Sequence, residues 1–104
     1  MLEKLQAVAS RYEELCAKAE QPDFYADPAR AAKLLKEKNE LEPIVEAYHA
    51  LCRARQDQQE AQELLAGETD PEMKELCQEQ FQVAKAAQQE LEQQLKLLLL
   101  PKDP

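Results

Sequence analysis

Apolar residues recur at steps of three and four along nearly the whole chain, so the pattern is helical from end to end. Leu2, Leu5, Val8, Ala9, Tyr12, Leu15, Cys16 and Ala19 form one stripe, with Glu3, Lys4, Glu13, Glu14 and Lys18 on the other face. This spacing predicts a first helix over residues 2–19. It should stop near Gln21, because Pro22 offers no N–H and pushes the residue before it out of the helical region. Residues 22–28 (Pro-Asp-Phe-Tyr-Ala-Asp-Pro) read as a loop with room for one helical turn. Asp27 closes it as an N-cap, with Pro28 at the first helical position. Phe24 and Tyr25 are expected to anchor this loop on the bundle.

From Ala29 the stripe continues through Ala32, Leu34, Leu35, Leu41, Ile44, Val45, Tyr48, Leu51, Cys52, Ala61, Leu64 and Leu65. Gly67 is expected to end it as a C-terminal glycine. Pro43 falls in the middle and deletes the bond to the carbonyl of Asn39, a defect that normally costs about 3 kcal/mol. The apolar phase nevertheless runs from Leu34 and Leu41 to Tyr48 without a slip, which predicts one long helix kinked at Pro43 rather than two helices. Asp70 and Pro71 then repeat the Asp-Pro start signal. The third helix carries Met73, Leu76, Cys77, Phe81, Ala84, Ala87, Leu91, Leu95 and Leu98 on one stripe until Pro101 stops it.

A helix of about 38 residues spans ~57 Å, whereas a compact globule of this chain's length has a radius of gyration of only ~13 Å. The expected fold is therefore all-α: an elongated antiparallel helical bundle of about three long helices, forming a single domain over residues 1–104. Composition agrees. Strong helix formers dominate the 104 residues, and a single Gly leaves nothing for tight β-hairpins. A rod without a cleft is a poor place for chemistry.

Charge narrows the partners. Thirteen Lys plus Arg against 21 Asp plus Glu give a net charge of −8, so phosphate backbones should be repelled and direct nucleic-acid binding is not expected. The acidic surface suits a basic protein partner, or simply keeps a helical protein in solution. Cys16, Cys52 and Cys77 are an odd count without short spacing, which argues against a disulfide framework and a Cys-x-x-Cys zinc site. Reduced thiols packed in or beside the apolar stripes fit best, and with them a cytoplasmic location. The longest apolar run, Leu97–Leu100, cannot span a bilayer, so no membrane association is expected.

His49 is the single histidine and lacks the oriented partner and pocket that a general base needs, so it reads as a solvated surface residue. Glu13 with Glu14 and Glu72 with Glu75 read as outer helical faces near lysines, not as an acid–base pair. No Gly-rich phosphate loop, nucleophile elbow or metal-ligand motif occurs. No catalytic, cofactor-binding or metal-ligating residue is assigned.

Three stretches go beyond generic helix: Glu-Leu-Glu-Pro-Ile-Val-Glu-Ala-Tyr at 40–48, residues 22–36 with their Ala-Asp-Pro-x-Arg core, and Leu-Leu-Leu-Leu-Pro-Lys-Asp-Pro at 97–104. Together they resemble the first domain of bacterial class I peptide chain release factors, and the ending is most like type one, the UAA/UAG-reading factor. Lys38 and Asn39 stand where relatives often have a histidine, and Phe24-Tyr25 resembles type two. The resemblance implies translation termination, with peptidyl-tRNA hydrolysis depending on a Gly-Gly-Gln motif in a later domain and codon reading on a loop in another. Neither is expected here, so this chain should act as an arm and not as an enzyme, and the natural protein should continue past Pro104. The implied partner is the ribosome, through proteins at the large-subunit stalk base, with Phe24 and Tyr25 as the candidate contact loop on a monomeric arm. A reading from another class stays open: a free-standing helical adaptor or coiled-coil dimerisation module.

Overall fold

A computed structural model gives the chain as α1 (Leu2–Ala19), a short 3-10 turn (Phe24–Ala26), α2 (Pro28–Gly67) and α3 (Pro71–Leu98). The structure describes residues 1–101, so the last three residues of the closing Pro-Lys-Asp-Pro motif lie outside it. No strand occurs among the described residues, and the all-α architecture of three long helices is as the hydrophobic period predicts.

The helix boundaries follow from local chemistry. α1 unwinds through 3-10-type bonds, Glu20 N–H to the Ala17 carbonyl at 3.3 Å and Gln21 N–H to Lys18 at 3.2 Å, before Pro22. The Asp27 carboxylate accepts from the Arg30 N–H at 3.2 Å and so caps α2. Asp70 does the same for α3, accepting from Glu72 N–H at 3.2 Å. Between these helices the Glu68 carboxylate accepts from Thr69 N–H at 3.1 Å and Asp70 N–H at 3.0 Å, which tightens the connection. Gly67 ends α2 by a different route from the one expected: its φ is not positive, so no left-handed cap forms, and the helix closes within its ordinary conformation. α2 also runs unbroken through Pro43 as one helix, as the unslipped apolar phase predicts.

The chain divides into two packed units, residues 1–46 and 47–104, with α2 running through the boundary. In the first unit Leu5, Leu15, Ala31 and Val45 are buried. The seam along α1 is Leu5, Val8, Tyr12 and Leu15, and that along α2 starts at Ala31. Ala32, expected on the stripe, is exposed. The reason is geometric: Ala31 lies three residues before Leu34 and four before Leu35, so both leucines share its face.

In the second unit Ala47, Leu51, Ala54 and Ala61 of α2, and Cys77, Ala84 and Leu95 of α3, are buried. Their spacings of four, three and seven on α2 and of seven and eleven on α3 are sums of alternating fours and threes, the 3.5-residue repeat of a coiled-coil seam. Cys52 is exposed, contrary to its expected packing, because the seam steps from Leu51 to Ala54 and leaves Cys52 a quarter-turn off the contact. Gln58 and Gln88 occupy seam positions that would otherwise be apolar. The Gln88 side-chain amide donates to Gln58 Oε1, to the Ala54 carbonyl at 3.4 Å and to the Ala84 carbonyl at 3.3 Å. Arg55 faces Glu92 at 3.7 Å, so sequence numbers fall on α2 as they rise on α3 and the pair is antiparallel.

Leu51, with no exposed surface, should be costly to truncate: Leu51→Ala is expected to destabilise the fold by about 2–5 kcal/mol in urea unfolding. The exposed Leu97 gives the contrast, with Leu97→Ala staying within about 0.5 kcal/mol of the parent. A Cβ at Gly67 would meet nothing within 4 Å. Gly67→Ala is therefore expected to raise stability by about 0.4–1 kcal/mol, chiefly through the unfolded chain.

Candidate partner-contact surfaces

The 3-10 turn between α1 and α2 presents the two aromatic residues singled out from the sequence. Phe24 N–H bonds the Gln21 carbonyl at 3.1 Å and Ala26 N–H the Asp23 carbonyl at 3.0 Å, which fixes the turn. Successive side chains on such a turn point about 120° apart, so the two rings cannot both face inward. Phe24 is half-buried, and Tyr25 is 66% exposed, packed edge-on against it with ring centroids 4.9 Å apart. Phe24 alone serves as an anchor. Tyr25 is presented to solvent on it, a correction to the expectation that both hold the loop down.

Behind this loop a polar clasp pins α1 to α2. Arg11 Nε donates to both oxygens of the Glu37 carboxylate at 3.0 and 3.1 Å, and Nη2 adds a bond of 2.8 Å to Oε2. Arg11 Nη1 reaches Glu14 Oε2 at 2.8 Å, so Glu14 is paired rather than merely solvated. Arg11 lies eight residues before the end of α1 and Glu37 nine after the start of α2, so the clasp closes only if the helices run antiparallel at equal distances from the turn. One residue further along each helix, Lys38 Nζ sits 5.9 Å from the Tyr12 ring centroid, a cation–π contact.

Electrostatics mark this cluster as a fastening and not a reaction centre. Hydrogen bonding to Glu37 first, then to Glu14, holds the Arg11 guanidinium proton still more firmly than usual. The same bond to Arg11 holds the Glu37 carboxyl below its ordinary range, opposite to what a general base working near neutrality needs. Burial pushes the Tyr12 hydroxyl up, with its hydrogen bond to Cys16 and the Glu42 and Glu46 carboxylates adding to the effect.

His49 is exposed on α2, its ring centroid 6.0 Å from that of Tyr48. The cysteines are not gathered: Cys77 is buried, Cys16 intermediate and Cys52 exposed. Among the described residues no group of three or more His, Cys, Asp or Glu side chains could hold a metal ion. Nor is any described helix long and apolar enough to cross a membrane. Sequence reasoning missed Gln58 and Gln88, although their heptad spacing from Leu51 and Leu95 was the signal that could have found them.

Sequence comparison gives these surfaces a context. The PCRF domain matches residues 8–104, all but the first turn of α1 and the residues just after it. The chain belongs to the PCRF domain family. As a PCRF domain it is 41% identical over its whole length to peptide chain release factor 1 of Agathobacter rectalis. It is 36% identical to the factor of the same name from Lysinibacillus sphaericus and 40% to that of Listeria welshimeri, again over the whole chain. The PCRF chain spans 29% of the length of each of these relatives. No solved structure gives a significant match.

The clasp makes a pH-dependent prediction. Glu37 is held below its ordinary 4.5, so its ionised form stabilises the fold above that pH, and the gain is lost as pH falls through the lower folded-state value. Glu37→Gln should lower the melting temperature near neutral pH and flatten its fall in acid, the two curves converging at the acid end of a calorimetric pH series. Parallel curves would show that Glu37 carries none of the acid sensitivity.

Proposed function

We propose that this chain is the N-terminal helical arm of a class I peptide chain release factor of type one, acting in translation termination in the cytoplasm. The observation that carries the reading is the full-length alignment of the chain with proteins named peptide chain release factor 1, of which it spans 29%. Such a protein would continue past Pro104, with the chain acting as one arm of it. The partner is the ribosome, through proteins at the base of the large-subunit stalk, and the arm is monomeric.

The role within the factor is contact and reach. With a single glycine the sequence holds no Gly-Gly-Gln, so the peptidyl-tRNA hydrolysis expected of the whole factor belongs to other parts of it. The long paired helices, the perturbed carboxyl tied up in a clasp and the exposed ring of Tyr25 support an arm that touches its partner at a helix–helix turn. Tyr25 is the contact residue and Phe24 its support.

Two measurements test the reading. The endogenous protein containing this sequence should have an intact mass more than three times the chain's 11.9 kDa, with Gly-Gly-Gln downstream. A natural protein ending at Pro104 would remove the reading. In the full factor, Phe24→Ala with Tyr25→Ala should weaken ribosome binding by about fivefold or more, as loss of an aromatic contact does. Unchanged affinity would take the loop out of the interface while leaving the family role intact. The isolated chain should release no peptide from ribosomes halted at a stop codon.

A further inference from the structure

In an isolated antiparallel helix pair the positions flanking the seam are normally charged. The second unit departs from this on one side. Leu76 and Val83 of α3 are seven residues apart, one heptad, and occupy the same flanking position, yet both are apolar and exposed, Val83 to 69%. Leu64 of α2 faces the same side and is likewise exposed. Between them the small seam residues Ala61 and Ala84 form a low floor, leaving an open cleft of about 540 Å³. Two apolar ridges over an alanine floor have the shape of a slot for a third helix.

The edges of the slot set the charge of what fills it. Asp57 and Glu60 line it from α2 and Glu79 from α3, and no Lys or Arg lines it. A second copy of the chain is a poor occupant, since each copy carries a net charge of −8 and the same three carboxylates. We propose that the α2–α3 cleft bounded by Leu64, Leu76 and Val83 docks an amphipathic helix of a basic partner protein. The helix sets an apolar heptad stripe on the alanine floor and its Lys or Arg residues against Asp57, Glu60 and Glu79. This surface lies in a different unit from the Phe24–Tyr25 turn and does not depend on the termination role.

The test uses a labelled synthetic helix of about three heptads with Leu at the seam positions and Lys flanking them, titrated with the chain by fluorescence anisotropy. A second peptide carries Glu in place of each Lys. The Lys peptide should bind with a Kd below about 100 µM, and the Glu peptide at least about tenfold more weakly. Val83→Glu separates docking from mere charge attraction. It adds a carboxylate that a purely electrostatic contact would welcome, yet it removes an apolar ridge, so binding of the Lys peptide should fall about tenfold. The double variant Glu60→Lys with Glu79→Lys should reverse the preference between the peptides. Val83, Glu60 and Glu79 are all exposed, so circular dichroism should show both variants folded like the parent. Equal binding of the two peptides, or tighter binding to Val83→Glu, would overturn the proposal. So would a chain dimer that Val83→Glu dissolves in sedimentation, because the cleft would then be taken by a second copy.

Discussion

Everything in this fold hangs on a seam that repeats every 3.5 residues. With no sheet among the described residues, each helix can bury only a narrow stripe, and that stripe must stay in line with its partner over many turns. The residues chosen for it are small or slender: the fully enclosed side chains of any size are Leu5, Leu15, Leu51 and Leu95, and alanines fill most of the rest. Such a seam supplies attraction but little distinction between neighbouring registers, because one alanine step looks much like the next. Register is therefore left to polar groups at the seam and its margins. The Arg11 fork on Glu37 sets it in the first unit and the Gln88 amide on Gln58 and two carbonyls in the second.

Most of this was legible from periodicity and punctuation. The extent of α1, the Asp27-Pro28 and Asp70-Pro71 starts, and the passage of α2 through Pro43 follow from spacing and caps, which are local properties. What local reasoning could not supply was the exact face. At Ala31 and Ala32 two neighbouring alanines compete for one seam position, and only the leucines of the following turn decide between them. At Cys52 hydropathy alone places a residue beside Leu51 in the core, although a 3.5-residue seam skips it. Hydropathy treats Phe24 and Tyr25 alike as anchors of the loop, whereas a tight turn splays adjacent side chains. The glutamine pair went unseen because a polar residue at a seam position looks like an interruption until its partner is known.

For function, what matters is how the polar chemistry is used. The carboxylate whose ionisation is most clearly altered, Glu37, is committed to a cation across the helix pair, and the lone histidine stands in solvent. These polar groups fasten helix to helix, Arg11 to Glu37 and Gln88 to Gln58. The family assignment rests on the sequence match over residues 8–104, and the proposed reading of the chain as an arm on its long paired helices.

The two clasps also differ in kind. One is ionic and sits on a partly exposed margin, the other is a neutral amide network within the seam. Substitutions in distant, unlinked clusters act additively, whereas those within one cluster do not. Arg11 and Glu37 are therefore coupled, as are Gln58 and Gln88, so an exchange at one member of either pair takes its cost from what stands at the other.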